Sequence, residues 1–388
     1  CGGGGRGSPA AKRRRQRADA VGAAAGAAAR SVNAGAGSSA SPSGGAGAPV
    51  PGPGSPGADA LALDPKSGNT VLADIFEEMG AVMKLKRDRF RSMAYLKAAQ
   101  ALRAHSEAIL SGAQAKHIDG IGAGMARRID VVLATGELEE LKELRCDHDV
   151  VALRELRSVH GIGAVRAAEL VAKGVRSLAE LRAEVSSGKI RLDAVQAIGL
   201  RHAEEFAQRI PRVEMLEHEA LLKTLRDARH PKLILLVCGS FRRGKAECGD
   251  IDVLITTKTY VAGHLEENAG GAILRGFVQS LHDAGYVTAD LAAGSTKYMG
   301  VCKLAAAGSL HRRLDIRCIR YDQFHFGTLY FTGSAALSVR LRMKAIEMGL
   351  RLSEYGLENP DTKELMHADS EREIFEALGV EYLEPHER

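Results

Sequence analysis

Apolar residues recur at helical spacing from Asn69 to about Cys146. Val71, Ile75, Met79 and Met83 fall on one face, and Phe90, Ala94, Leu96 and Ala98 continue it. Near the end of this stretch Ile118-Asp119-Gly120-Ile121-Gly122 opens an Ala- and Arg-rich helix. Ser158-Val159-His160-Gly161-Ile162-Gly163 repeats the arrangement before a second helix, Ala164 to Lys173. Past residue 230 the period shortens. The apolar run Leu233 to Val237 enters the turn Gly239-Ser240, a basic loop Phe241-Arg242-Arg243-Gly244 follows, and a second apolar run carries aspartates at 250 and 252. A further strand is predicted over His311 to Arg317, where basic and apolar residues alternate. Leu329 to Ser334 introduces a helix capped near Ser334 and running to Gly349. Leu337, Leu341, Ala345 and Met348 are its expected buried stripe, with Arg340, Arg342 and Lys344 elsewhere. Ser370 to Tyr382 has helical, then strand character.

Composition changes this picture at the N-terminus. Residues 1–70 are dominated by Gly, Ala, Ser and Pro and cannot bury enough apolar surface to fold. Lys12-Arg13-Arg14-Arg15-Gln16-Arg17 within them reads as a nuclear-localisation or nucleic-acid-contacting cluster. A mitochondrial presequence is the competing reading, and a solubilising tail the third. The remaining chain is long enough for several domains: the whole has 388 residues, 45% of them hydrophobic. No apolar run reaches the length of a membrane span, so no membrane partner is expected. The formal charge of +5 resides in the tail, which leaves the rest balanced. Any nucleic-acid surface must therefore come from local segregation of charge. Six cysteines, among them Cys146, Cys248 and Cys318, form no C-x-x-C pair; Cys238 and Cys302 lie in apolar runs and read as buried thiols.

The chemistry concentrates around residue 250. Side chains two apart on a strand share a face, so Asp250 and Asp252 project together while Ile251 and Val253 turn to the core. Paired carboxylates suit hard cations, and two such ions about 3.5–4 Å apart can activate an attacking oxygen and stabilise a leaving one. The adjoining Gly-Ser turn and arginines suit a triphosphate. An isolated Asp-x-Asp is also compatible with a solvated strand edge, but preceded by Gly-Ser-Phe-Arg-Arg-Gly it points to nucleotidyl transfer. Each Gly-x-Gly turn, in turn, exposes backbone N–H groups to a phosphate without reading bases.

Together these residues resemble family X of the DNA polymerases, in its polymerase beta branch, over residues 71 to the C-terminus. The resemblance implies a multidomain α+β fold: two N-terminal helical helix-hairpin-helix domains, a nucleotidyltransferase palm of mixed β-sheet with helices, and a small α/β thumb. The expected division is a disordered tail (1–70), a lyase-like helical DNA-binding domain (71–146), a helix-hairpin-helix domain (147–208), the palm (209–321) and a nucleotide-selecting thumb (322–388). It further implies that Asp250, Asp252 and Asp315 hold two Mg²⁺, with Mn²⁺ as a substitute. Arg209, Gly239, Ser240, Arg243, Gly249, Tyr330, Phe331 and Gly333 would bind the nucleotide, Tyr330 and Phe331 excluding a 2′-hydroxyl. DNA contacts fall on Gly120, Gly122, Gly161, Gly163, Lys297, Arg313, Arg317 and Arg342, with Na⁺ or K⁺ at the Gly-x-Gly loops. Glu354 would be a closing partner for the thumb.

The sequence departs from the family in places. The lysine nucleophile of the family's 5′-deoxyribose-phosphate lyase falls on Arg128, which stays protonated; two further family lysines fall on Gly124 and Glu140. Lys97 and Lys116 remain as candidate substitutes. Cys248 stands where the family has a serine, and Ala335, Ser338 and Val339 replace polar residues facing the nascent base pair. The expected function is gap filling in base-excision repair by a monomer in the nucleus or, alternatively, the mitochondrion. Gapped or nicked double-stranded DNA, dNTPs and base-excision-repair proteins are its expected partners. The alternatives are a template-independent nucleotidyltransferase and a non-catalytic DNA-binding protein.

Overall fold

The computed structural model describes residues 65–263 and 269–388, so the basic cluster at 12–17 lies outside it. Two units follow one another along the chain, one ending at Leu192 and the other running from Asp193 to Arg388. In the first, α1 (Pro65–Leu85) packs on α2 (Arg89–Ala104), whose N-terminus is capped by Asp88 accepting from the Arg91 amide. The buried stripe of α1 is Leu72, Phe76, Met79 and Met83, and that of α2 is Tyr95, Ala98 and Leu102. The expected stripe holds in part: Met79, Met83 and Ala98 are buried, whereas Val71, Phe90 and Leu96 are exposed. Both helices carry apolar residues on several faces, so periodicity alone leaves their rotation undetermined. Gly80 fixes it. Its carbonyl accepts from the Ser92 hydroxyl at 2.8 Å, and a Cβ there would lie 3.2 Å from the Ser92 carbonyl oxygen.

The two Gly-x-Gly turns fold alike. Gly120 and Gly161 adopt φ +92° and +87°, a region open to glycine at little cost. The isoleucine that follows each is buried, and its amide donates back three residues, Ile121 to Ile118 at 3.1 Å and Ile162 to Val159 at 3.0 Å. Gly122 and Gly163 then cap α4 (Ala123–Thr135) and α7 (Ala164–Ala172). Between them come α5 (Glu139–Cys146) and α6 (His148–Ser158); α3 (Gly112–Ala115) precedes the first turn and α8 (Leu178–Ser186) follows α7.

The second unit opens with α9 (Ala194–Arg201) and α10 (Ala203–Phe206). Its sheet contains β2 (Leu233–Val237), β4 (Ile251–Thr257), β5 (Val287–Ala293), β6 (Lys297–Cys302) and β7 (Arg312–Cys318) in the order β2-β4-β7-β6-β5. Only β4 and β7 run parallel, so the sheet is mixed. Helices α11 (Arg212–Arg229) and α13 (Ala269–Asp283) cover one face. Leu222, Leu225, Phe277 and Leu281 pack there on Val253, Ile255 and Ile316. A short ladder of β1 (Ile210–Pro211) with β3 (Glu247–Cys248) ties the entry of α11 to the loop before β4. The expected basic loop after Gly239 contains a helical turn, α12 (Gly239–Arg242). Cys238, Cys248, Cys302 and Cys318 are buried free thiols, and Cys146 is an exposed one.

A second apolar cluster joins α14 (Phe324–Thr332), α15 (Ala335–Glu347) and α16 (Glu371–Ala377) to the small sheet β10-β9-β8, built from β8 (Arg351–Ser353), β9 (Gly356–Glu358) and β10 (Leu365–Met366). Three expectations are corrected here. Leu329–Thr332 is the last turn of a helix rather than a lead-in, and the chain reverses at Gly333, φ +72°. Met348 is exposed, because α15 ends at Glu347 and the stripe closes with Leu337, Leu341 and Ala345. No strand follows α16; the chain instead runs to a 3₁₀ turn, Pro385–Glu387.

One buried ion pair braces the head of β7. Arg312 points to the core face, and its guanidinium makes two bonds to Glu214 of α11, at 2.7 and 2.8 Å, and one to the Gln208 carbonyl, at 2.8 Å. Removing one partner strands a buried charge. Glu214→Ala is therefore expected to destabilise the fold by about 3–5 kcal/mol, read as a lowered urea midpoint at unchanged slope; a loss under about 0.5 kcal/mol would place Arg312 in contact with water.

Candidate active site

The carboxylate cluster follows from strand register. Parallel pairing of β4 with β7 sets Asp252 directly beside Asp315, on strands about 4.8 Å apart. Asp250, just before β4, reaches the same point, and donor oxygens of all three aspartates lie within 4.8 Å of one another. Like charges side by side repel, and they are partly removed from water. Burial, then the neighbouring Asp250 and Asp315, push the Asp252 carboxyl up to about 7. Burial raises Asp315 as well. Arg313, two residues before Asp315 and on its face of β7, compensates them: it ion-pairs with Asp250 and lies 3.3 Å from Asp315. The buried Oδ1 of Asp315 has no hydrogen-bond partner. An all-oxygen donor set with an unsatisfied buried oxygen fits divalent hard cations.

The residues expected around a triphosphate gather at this edge. Gly239 has φ +56°, and a Cβ there would collide with the Asp252 carboxylate, so only glycine allows the turn to approach so closely. Ser240 follows on α12. Arg243 donates to the Thr332 carbonyl at 2.5 Å and lies against Gly333, which precedes a cis peptide bond to Ser334. Arg209 sits over Gly249 and reaches the Glu247 carbonyl at 3.4 Å. Cys248 is fully buried, so its thiol does not face this surface.

Tyr330 and Phe331, on the last turn of α14, have ring centroids 6.2 Å apart. Tyr330 is exposed, and the Arg342 guanidinium stacks over it at 5.3 Å. Arg317 shares the face of Asp315 and is ion-paired with Glu354, 5.8 Å over the Tyr355 ring. Lys297 begins β6 opposite Arg317. Ala335 and Val339 are exposed on α15, while Ser338 bonds back to the Ser334 carbonyl at 3.0 Å.

In the other unit the site expected for a lyase is self-neutralised. Arg128 of α4 makes two bonds to Glu140, at 2.7 and 3.1 Å, a third to the Gly124 carbonyl at 3.3 Å, and lies 5.7 Å over the Tyr95 ring. Arg128, Gly124 and Glu140, the positions on which three family lysines were expected to fall, thus form one closed contact. Of the two candidate substitutes, Lys97 is ion-paired with Asp119 at 2.9 Å and lies along Gly120, and Lys116 is exposed.

Several structural partners were not anticipated. Arg242 binds Glu371 at 2.5 Å and the Thr332 hydroxyl at 2.7 Å, joining α12 to α16 and α14. Arg312 differs from Arg313 only in strand parity, which is the one signal in the sequence that could have assigned it to the core. Long-range acidic partners such as Glu214 and Glu371 leave no local pattern.

Comparison with known proteins agrees with this geometry. Residues 209–321 match the DNA polymerase beta palm and residues 327–388 the DNA polymerase beta thumb. Residues 67–138 match a helix-hairpin-helix domain, and residues 154–207 the fingers domain of DNA polymerase lambda. The chain is 34% identical over 336 residues to DNA polymerase lambda of Rattus norvegicus, an alignment covering 82% of this chain and 56% of that protein. It is 30% identical over 356 residues to DNA polymerase lambda of Arabidopsis thaliana, covering 86% and 65%. The chain therefore spans between half and two-thirds of the length of these relatives. Among the described residues no helix is long and apolar enough to cross a membrane.

The raised Asp252 carboxyl gives a signed prediction. The folded state holds this proton up to about pH 7, the unfolded chain only to about 3.9. Metal-free protein therefore loses stability as pH rises through that window, by a few kcal/mol at most. Saturating Mg²⁺ is expected to recover the loss and to release protons on binding below pH 7. Thermal melts across pH 4–8 with and without Mg²⁺ measure this, and Asp252→Asn should flatten the metal-free profile.

Proposed function

The chain belongs to the family X DNA polymerases, and from that premise we propose that it is a template-directed DNA polymerase that fills short gaps in base-excision repair. It transfers a nucleotidyl group from a dNTP to a primer 3′-hydroxyl. The observation that carries this reading is the pairing of Asp252 with Asp315 in register beside Asp250, facing the Gly239–Arg243 turn. Two Mg²⁺ held by the three aspartates would acidify the primer hydroxyl and neutralise charge on the triphosphate and departing pyrophosphate.

The side chains do the positioning. Ser240 and Arg243 hold the β/γ end of the triphosphate and Arg209 the γ-phosphate, with Gly249 leaving room beside Arg209. Arg313 holds the carboxylates in place before the cations enter and then turns to the DNA with Lys297. The Tyr330-Phe331 ledge lies under the deoxyribose, and Arg342, stacked on Tyr330, meets the template strand as Arg317 pairs with Glu354. Gly120, Gly122, Gly161 and Gly163 present backbone amides to DNA phosphates, with Na⁺ or K⁺ as bridging ions. The substrates are gapped or nicked duplex DNA and dNTPs, and the protein acts as a monomer in the nucleus alongside other base-excision-repair proteins. Lyase chemistry is weak or absent, because Arg128 retains the charge of the family lysine but not its nucleophile.

Three measurements test this. Asp315→Ala should leave gapped-DNA binding nearly intact and reduce single-nucleotide incorporation by more than about 100-fold, since a metal ligand contributes several kcal/mol to the transition state; turnover within tenfold of wild type would remove Asp315 from the reaction. Unmutated protein should prefer dNTPs to rNTPs strongly on a templated gap, and Tyr330→Ala should narrow that preference. Equal use of both sugars, or extension without a template, would support the template-independent reading. Borohydride reduction with a 5′-deoxyribose-phosphate substrate should trap little wild-type protein, and Arg128→Lys should raise the yield. Efficient wild-type trapping abolished by Lys97→Ala or Lys116→Ala would show a relocated nucleophile.

A further inference from the structure

Away from the aspartates, three other side chains converge at the head of β7. His202 terminates α9, Glu205 lies in α10, and His311 directly precedes β7. The Glu205 carboxylate stands between the two imidazoles: His311 Nδ1 is 2.8 Å from one of its oxygens, and His202 Nδ1 is 3.3 Å from the other. The rings lie 4.2 Å apart, tilted by 38°. Nitrogen and oxygen donors of all three lie within 4.8 Å of one another.

The backbone beneath them is fixed independently of these contacts. Arg312 binds the Gln208 carbonyl at 2.8 Å and the Glu205 carbonyl at 3.4 Å, and is itself held by Glu214. The His311 amide donates to Glu205, which orients the carboxylate. Phe206 lies 5.7 Å from the His202 ring and walls one side, while Glu205 and His311 remain part-exposed.

Two imidazoles and one carboxylate are a zinc donor set, with the fourth position left to water. Tetrahedral ligands at about 2.0–2.1 Å stand roughly 3.4 Å apart, so side-chain rotations of about an ångström close the observed spread around one ion. We propose that His202, Glu205 and His311 bind a single late first-row divalent cation, Zn²⁺ foremost, at a second site chemically distinct from the aspartate triad. Imidazole favours Zn²⁺, Ni²⁺ and Cu²⁺, whereas an all-carboxylate site favours Mg²⁺ and Mn²⁺, so one chain sorts two classes of metal. Three protein ligands and a water make an open rather than a closed site, and the effect of the ion is on the fold. It clips α10 to the start of β7, four residues before Asp315, and so holds the strand that carries the third triad carboxylate.

The test uses untagged full-length protein, stripped of metal, with its thiols reduced and Mg²⁺ in excess to fill the triad. Zn²⁺ is titrated against a chromophoric chelator, and Co²⁺ is followed by visible absorption. One equivalent of Zn²⁺ should bind, and Co²⁺ should give the intense absorption of a tetrahedral site. His311→Gln and His202→Gln should each weaken binding by more than the ~10–100-fold typical of losing an outer-shell partner. Asp250→Asn and Cys146→Ser should retain it. Zn²⁺ should raise the melting temperature of wild type and not of either histidine variant, whose metal-free circular dichroism establishes that they fold. The proposal is overturned if no equivalent binds, if both histidine variants bind as wild type does, or if binding disappears with Asp250→Asn or Cys146→Ser instead.

Discussion

The palm is organised by the need to hold three carboxylates together at low dielectric. Register forces Asp252 and Asp315 side by side, and burial removes much of the water that would screen them. Each neighbouring feature answers that repulsion. Arg313 spans Asp250 and Asp315, Gly239 removes the atom that would displace Asp252, and the Asp252 carboxyl takes up a proton near neutrality. Such an arrangement gains from any dication that enters, because the cation replaces a proton and an arginine in one step. The energetic cost of the metal-free site and its affinity for metal are two aspects of one constraint.

Buried ion pairs extend that logic outward. Glu214 holds Arg312 behind the sheet, and Glu371 accepts from both Arg242 and Arg388 between α12 and α16. Pairs of this kind add little net stability, yet breaking one is expensive. They therefore penalise displacement of α12 and β7, the two elements that bring Gly239 and Asp315 to the carboxylate cluster. Glu140 has the opposite effect on Arg128. By closing on the arginine it neutralises that charge at the surface.

The parts of the fold legible in the sequence were those specified by short-range geometry. Asp250-x-Asp252 declares its shared face through strand parity, and both Gly-x-Gly turns declare a backbone that few other residues adopt. Charged residues alternating with apolar ones gave β7. The phase of α1 and α2 was legible only in part: Met79, Met83 and Ala98 are buried as expected, but Val71 and Phe90 are as apolar as the residues that fill the core in their place, and the Gly80–Ser92 contact left no period. Met348 was misassigned because a helix end, rather than the stripe, decides its exposure. The Arg312–Glu214, Arg242–Glu371 and Arg128–Glu140 pairs join residues far apart in sequence, or replace charges by their opposites, and neither produces a period or a motif.

The strand order has a consequence for how the site comes into being. β7 is the last of the five sheet strands to be synthesised and occupies the middle of the sheet. Until it arrives, β2 with β4 and β5 with β6 can form only two separate antiparallel ribbons, each with a raw inner edge. Its insertion seals both edges and, in the same event, delivers Asp315 to Asp252. Non-local closure of this kind is slow. Assembly of the sheet and assembly of the carboxylate cluster are therefore one step, and no intermediate lacking β7 holds all three aspartates together.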